Sequence, residues 1–365
     1  MKLLHFADLH LDTPFRWAGP DLARRRRQAL RDALTRILDL AGEHRVDAVL
    51  CGGDLYEDER FTPDTVEFVR AAFERVHPLP IYLAPGNHDW FGPQSLYRQA
   101  SWSPNVHIFT SDRLEPITLA EGLTLWGAAH LKPAGTVGFL SRFRVDRGGV
   151  HLALFHGSER SQLPFLPEGE EPHAPFDAAE VAAAGLHHAF VGHYHLPRDA
   201  PWHTYPGNPV PLTFGEEGAR GVVIATVGPE GTVQRERHQV ATVGLRDLAM
   251  DVTGCGSAQE VRDRAARLLA GQTGVVRLTL TGELDPRVDL RASDLADVAP
   301  WLEALTVRLG ALTVAYDLDA IAAEQTVRGQ FVRDVMASDL DPELRRRVIV
   351  TGLRALDGRS DLEVG

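Results

Sequence analysis

Five short clusters of possible metal ligands follow one another along the first two-thirds of the chain: Asp8-Leu9-His10, Gly53-Asp54, Gly86-Asn87-His88-Asp89, Phe155-His156-Gly157 and Gly192-His193-Tyr194-His195. Carboxylate, imidazole and amide oxygen are the donors that a pair of divalent cations needs. A carboxylate bridges both ions, and neutral imidazoles and an amide fill the remaining positions without adding charge. Two such ions polarise a phosphoryl oxygen and lower the pKa of a bound water, so these residue types point to hydrolysis of a phosphate ester. Asp54 is the best bridge candidate. Each cluster alone has a plain reading: Gly-Asp is usually a turn, and Gly-Asn-His-Asp suits one because Gly and Asn accept positive φ. Their order and their shared position at strand ends make the site hypothesis the stronger one.

The elements that must position them are legible nearby. The run Lys2-Leu3-Leu4-His5-Phe6-Ala7 stops at Asp8, and Asp8 and His10, two residues apart, are expected to emerge on one side of the strand end. Residues 47–51 end in Gly52-Gly53, residues 81–84 run into Pro85-Gly86, and Ala189-Phe190-Val191 precedes Gly192. In open α/β sheets ligands gather beyond the carboxyl ends of the strands, which puts these deliveries on one edge. A helix is predicted from about residue 21 to 44, with Leu30, Leu34, Ile37, Leu38 and Leu40 at helical spacing. A second is predicted from Pro63 to about Val76, with Val66, Val69, Ala72 and Phe73 inward. Short strands follow at 106–109 and 124–127, then a buried strand at 149–155. A hairpin of 221–227 and 233–239 about the Gly228-Pro229-Glu230-Gly231 turn closes the catalytic region.

A chain of 365 residues suggests about two domains. The predicted divisions are 1–242, catalytic; 243–292, a small α/β accessory domain with a helix at 258–269 and a strand at 275–280; and 293–365, a helical tail. Leu302, Leu305, Leu309, Phe331, Val335, Leu340 and Leu344 in that tail read as core first and partner contacts second. No run of about 18 apolar residues exists and the N-terminus enters a strand at once, so the expected location is cytoplasmic, with no membrane contact. Cys51 and Cys255 make no disulfide framework. A net charge of −12 and a pI near 5.7 exclude nucleic-acid binding through the overall field, so any such contact is local. Arg24-Arg25-Arg26-Arg27 with Arg31, and Arg142, Arg144 and Arg147, are the candidates, although four consecutive arginines on a helix point in all directions. Histidines outside the motifs, among them His5, His151 and His188, are assigned surface or satisfied core positions.

The five motifs, over residues 8 to 195, resemble those of the calcineurin-like metallophosphoesterases. The passage Tyr205-Pro206-Gly207-Asn208-Pro209, Phe214-Gly215-Glu216-Glu217-Gly218 and Gly221-Val222-Val223-Ile224 is similar to one in the SbcD-type DNA repair exonucleases, the nuclease subunits of double-strand-break repair. The resemblance implies an α/β fold built as a two-sheet αββα sandwich, with a capping domain and a partner-binding helical tail. It implies one metal on Asp8, His10, Asp54 and His195, the other on Asp54, Asn87, His156 and His193, and His88 beside the scissile phosphate. Catalysis would fall to His88, Asp54 and Asn87, with two divalent ions, manganese being the expected metal. The implied partners are DNA, an SbcC-type coiled-coil ATPase and a second copy of the chain. The expected function is therefore a manganese-dependent DNA nuclease. Alternatives are a phosphodiesterase or phosphatase acting on a small ester, and a non-catalytic repair scaffold. One departure stands out: where many of these nucleases have Gly-Asp-Leu-Phe-His, this chain has Gly53-Asp54-Leu55-Tyr56-Glu57. The Glu57 carboxylate could reach the metals, repel phosphate, or be a solvated loop acid beside Asp58 and Glu59.

Overall fold

Apolar runs too short for helices but rich in β-branched and aromatic residues make up the sheets. In a computed structural model, which describes residues 1–134, 139–161 and 172–358, the chain forms two compact units, Met1–Thr242 and Val243–Gly365. In chain order the first contains β1 (Lys2–Phe6), α1 (Pro20–Glu43), β2 (Ala48–Cys51), α2 (Pro63–Arg75), β3 (Ile81–Leu83), α3 (Leu96–Gln99), β4 (Val106–Ile108) and β5 (Glu115–Ala120). It continues with β6 (Leu123–Gly127), β7 (Val150–His156), α4 (Ala178–Ala183), β8 (His188–Gly192), β9 (Arg198–Asp199), β10 (His203–Tyr205), β11 (Gly221–Val227) and β12 (Val233–Gln239).

Two six-stranded sheets result, ordered β12-β11-β1-β2-β3-β4 and β5-β6-β7-β8-β10-β9. The first is parallel from β1 to β4, because α1 and α2 supply the crossovers; β11 then pairs antiparallel with both β1 and β12. In the second sheet β6, β7, β8 and β10 are parallel. Both faces of β1 are apolar, and they serve different layers. Leu4 and Phe6 pack with α1 residues Leu30, Leu34 and Ile37, whereas Leu3 joins Leu50, Leu125, Leu152, Leu154 and Phe190 between the sheets. A further cluster, Phe155, Phe176, Val181, Val191 and Tyr205, covers the outer face of the second sheet beneath α4. The first unit is thus an α/β sandwich with the layers α, β, β, α.

α1 begins at Pro20, where a missing N–H costs nothing, and α2 begins behind Thr62, whose side chain accepts from Thr65 N. The arginine run of α1 divides as a helix requires. Arg24 pairs with Asp21 and Arg31 with Asp64, while Arg26 is fully buried over Phe15 and donates to Pro211 O. Among the other arginines, Arg144 donates to the Ser141 and Phe143 carbonyls and Arg147 pairs with Asp146 over the Trp126 ring. Cys51 and Cys255 are both buried thiols.

The second unit holds β13 (Leu245–Asp251), α5 (Ala258–Leu269), β14 (Val275–Leu284), β15 (Ala304–Val314), α6 (Leu318–Ala323), α7 (Val327–Met336) and α8 (Pro342–Leu356). Its three strands form a parallel sheet in the order β13-β14-β15. Here the structure departs from the predicted division. The section from 293, expected to be a helical tail, opens with a short 3-10 turn at Ala292–Leu295 and an eleven-residue strand, and turns helical only from Leu318. Residues 243–292 therefore lack the strand that completes their sheet, and 243–358 share one unit. Leu302 and Leu309 are core, whereas Leu344 is exposed; the end of the expected tail, residues 359–365, lies outside the described residues. Among the described residues no helix is long and apolar enough to cross a membrane.

Candidate metal centre

β1, β2, β3, β7 and β8 all end on one edge, and the loops that leave them carry every motif. The first loop gathers its ligands in an unexpected way. Asp8 and His10 do not alternate on a strand; both take left-handed backbone, φ 54° and 50°, as does Asp54 at φ 52°. The loop lies beside residues 53–57: Asp8 N donates to Gly53 O, His10 N to Asp54 O and Leu11 N to Leu55 O. His193, at φ 117°, is further from the usual basins. Such residues cost of order 1–3 kcal/mol each, persist where the surroundings over-determine them, and cluster at functional sites. Glycine is required where the loops meet. A Cβ on Gly53 would lie 2.7 Å from His156 Nδ1, and one on Gly86 would strike Asp54 Oδ1.

All of the predicted site residues come together. His156 Nδ1 donates to the Gly52 carbonyl at 2.9 Å, so its Nε2 is left to face Asp54 Oδ2 at 3.2 Å, Asn87 Oδ1 at 2.9 Å and His193 Nδ1 at 3.2 Å. On the other side His10 Nδ1 donates to Glu57 Oε1 at 2.8 Å and His195 Nδ1 to Glu216 Oε1 at 2.6 Å. Carboxylates only accept, so each ring turns a lone pair on Nε2 inward, and these two nitrogens face each other at 3.2 Å. Asp8 and Asp54 add buried carboxylates to the sets Asp8, His10, His195 and Asp8, Asp54, His156. Asp54 Oδ1 accepts from His88 N at 2.9 Å, leaving Oδ2 between the two sets, 3.6 Å from His10 Nε2 and 3.2 Å from His156 Nε2. Lone pairs aimed at lone pairs repel unless a cation lies between them. The donors present, carboxylate, amide oxygen and imidazoles oriented by carboxylates behind them, fit two divalent ions.

In the metal-free protein protons answer the same crowding of acceptors. Burial opposes the charge on His156, but the Asp54 carboxylate outweighs it and holds the imidazole up at about 9. Burial likewise opposes a charged His195, and the bond to Glu216 raises it nonetheless. Glu57 and Glu216, despite burial, are held down at about 2 by the histidines they accept from. Asp8 is raised, chiefly by burial, whereas Asp54 overcomes its own burial through His156 and lies well below the usual carboxylate range. His193 is lowered, by burial and by His156.

Several members of the site had only partial sequence signals. Asp89, quoted within its motif but given no role, accepts from Asp54 N, Leu55 N, Gly86 N and the Tyr97 hydroxyl, and so shapes two ligand loops at once. Glu216 and Asn208 appeared only within a family-like passage. Glu216 orients His195 and accepts from Asn208 Nδ2 and Leu212 N, and Arg220 donates to Asn208 Oδ1 and, in a short contact, to His195 O. His130, which bonds His156 O, and His173, whose ring lies 5.3 Å from that of His193, had no signal. Of the three readings of Glu57, the solvated acid is ruled out: it is mostly buried and bonded to His10 and His88. Above the ligands lies a half-open cavity of about 460 Å³ lined by Thr13, Glu57, His88, His173 and Leu212 together with His10, Asp54, Asn87, His193 and His195.

Sandwiched sheets whose strand ends collect two acceptor sets around one shared carboxylate, under an open cavity flanked by a histidine, are the parts of a metal-dependent phosphoesterase. The model of the calcineurin-like phosphoesterases matches residues 1–197, more than half of the chain, and the protein belongs to that family, which uses a two-metal centre. It is 28% identical over 302 residues to the uncharacterized metallophosphoesterase YhaO of Bacillus subtilis, covering 77% of this chain and 72% of that protein. It is 27% identical over 305 residues to the DNA double-strand break repair protein Mre11 of Methanopyrus kandleri, covering 73% and 63%. To the protein of the same name from Haloferax volcanii it is 24% identical over 388 aligned positions, covering 95% and 81%. A solved structure, TT1561 of Thermus thermophilus, matches with a TM-score of 0.39 at 14% identity, over 65% of this chain and 98% of that one.

Proposed function

We propose that this protein is a manganese-dependent DNA nuclease of the SbcD type, cutting phosphodiester bonds in DNA repair as the nuclease subunit beside a coiled-coil ATPase. The observation that carries the DNA reading is the reach of the similarity: the alignment with the Haloferax repair protein runs over 95% of this chain, second unit included. The phosphoester chemistry rests on the two facing acceptor sets. Asp8, His10, Asp54 and His195 would hold one ion, and Asp54, Asn87, His156 and His193 the other. When bound, the ions polarise the phosphoryl oxygen and supply hydroxide at neutral pH. The chain does the rest. Glu57 and Glu216 hold the tautomers of His10 and His195, and Asp54 fixes the His88 backbone, so that the His88 ring stands at the cavity with Nδ1 donating to Glu57 at 3.0 Å. Its other nitrogen then faces the substrate, able to hydrogen-bond a phosphate oxygen or give a proton to the leaving oxygen.

One observation favours a second reading, hydrolysis of a small phosphate ester. Of the basic set that would grip a DNA backbone, Arg26 is buried in the fold and Arg31 is paired with Asp64. The deciding experiment is cleavage of end-labelled single- and double-stranded DNA with manganese, beside a chromogenic phosphodiester. DNA degradation that is lost in Asp54→Asn and falls roughly a hundredfold or more in His88→Ala supports the nuclease. Hydrolysis of the chromogenic ester alone sinks it in favour of the small ester.

A further inference from the structure

Glu57 stands where the resembling nucleases have histidine, and the structure gives it two partners at once: Oε1 accepts from His10 Nδ1 at 2.8 Å, and Oε2 from His88 Nδ1 at 3.0 Å. We infer that Glu57 is a positioning residue which couples the metal-binding His10 to the substrate-facing His88 through one carboxylate. The inference rests on the two-metal phosphoesterase reading, not on the choice of DNA as substrate.

Two loops clamp the residue. Glu57 N donates to Leu11 O, Asp58 N donates to His88 O, and Tyr56 bridges to Leu11, so the peptide at 57 is tied both to the loop of Asp8 and His10 and to the loop of Asn87 and His88. The side chain has no freedom to serve one histidine without the other, and the two rings meet edge to face with centroids 4.8 Å apart. Since a carboxylate only accepts, it fixes the Nδ1–H form of both imidazoles. His10 thereby directs Nε2 at Asp54 and His195, and His88 directs Nε2 at the cavity. The same bonds explain why a carboxylate in a phosphate-binding cavity is tolerated: both its oxygens are turned to imidazoles, not to the incoming anion.

An amide cannot do this, because its oxygen accepts one N–H while its NH₂ forces the other imidazole into the opposite tautomer. The test compares wild type, Glu57→Gln and Glu57→Asp with Glu59→Gln, an exposed neighbour that removes the same charge. Three quantities are measured: manganese affinity by calorimetry, histidine tautomers in the metal-free protein by nitrogen-15 NMR, and kcat and KM on a chromogenic phosphodiester. In Glu57→Gln, manganese affinity or kcat should fall by about tenfold to a hundredfold, the effect of removing the partner behind a metal-bound histidine, with KM little changed. His10 or His88 should lose its Nδ1–H signature, and Glu59→Gln should match wild type. A Glu57→Gln protein with wild-type affinity, tautomers and kcat, or one altered only through a lower KM, overturns the inference and leaves phosphate repulsion as the role. If the glutamine variant does not fold, the wild-type spectrum and Glu57→Asp decide. An Nε2–H tautomer at His10 in wild type, or full activity in the shortened side chain, is equally fatal. Wild type that binds no manganese removes the metal centre itself, and the inference with it.

Discussion

Histidines occupy two regions of the first unit, and the same ring meets opposite fates in them. On the strand-end edge, neighbouring carboxylates overcome burial and hold His156 at about 9, with His195 raised beside it. Between and behind the sheets burial wins: His5 lies well below its ordinary value, His188 is down at about 3 and His203 at about 4, and on the edge itself burial and the neighbouring His156 keep His193 low. The difference is not burial, since His5 and His156 are both sealed from solvent. It is whether the surrounding acceptors carry charge. An edge that gathers carboxylates is built for cations, and an interior that gathers imidazoles against apolar rings is built to exclude them.

The largest effect expected from breaking that contrast is at Asp54, whose Oδ2 lies between His10 Nε2 and His156 Nε2. Asp54→Asn should lower phosphodiesterase turnover by roughly a thousandfold or more, as removal of a group on which a whole catalytic unit depends does. A variant that retains activity would show that Asp54 is not the bridge.

Metal binding gives the second test. Below pH 9 the metal-free edge holds a proton on His156, which must leave before the imidazole can ligate, so manganese affinity should rise with pH and protons should be released on binding at pH 7.5. Calorimetry in two buffers of different ionisation enthalpy reads the number directly. A value of zero would mean that the edge imidazoles are already neutral and that the contrast with the interior does not exist.

The third test uses the stability of the metal-free protein, where the two regions have opposite signs. For His188 and His203 the folded values lie below the unfolded 6.5, so the unfolded chain takes protons first as pH drops. Stability is complete above about 6.5 and is lost between there and about 4, by up to about 1.4 kcal/mol per pH unit for each group. His156, raised, contributes stability that is complete below about 6.5 and is lost as pH rises through about 9. Urea midpoints across pH should therefore decline on both sides, the alkaline limb becoming shallower in His156→Asn and the acid limb remaining.

His5 gives the smallest expected effect. Among the described residues neither of its ring nitrogens has a hydrogen-bond partner, and the ring packs edge-on to Phe190, so this is not the satisfied core position that the sequence suggested. Replacing it by leucine removes two unpaired polar atoms without emptying the site. His5→Leu should be stabilising by about 1 kcal/mol, read as a rise in thermal midpoint, with the acid limb shallower. Destabilisation would assign the imidazole a role between the sheets that its contacts do not explain.

Much of this was legible in the sequence, and for local reasons. The hairpin strands 221–227 and 233–239 and the helix at 258–269 match β11, β12 and α5, since periods of 2 and 3.6 residues are set by neighbours in the chain. The order of the ligand motifs could be read because each follows a strand end. β15 could not. Its inward positions run Leu305, Val307, Leu309 and then Leu312, Val314, and its register against β14 shifts between Thr279 and Thr281. That irregularity breaks the alternation, so the segment reads with the helix formers that flank it.

Residue type and spacing by themselves determined that acidic, amide and imidazole ligands would reach one sheet edge. Only the tertiary structure decided how they are held. Asp8, His10 and Asp54 are brought inward by left-handed backbone rather than by strand alternation, and Glu57, Glu216 and Asp89 act on partners supplied by other loops. Hydrogen-bond acceptance depends on distances between residues as far apart as His195 and His10, 185 positions along the chain. No local pattern encodes such distances; they exist only once the two sheets have packed.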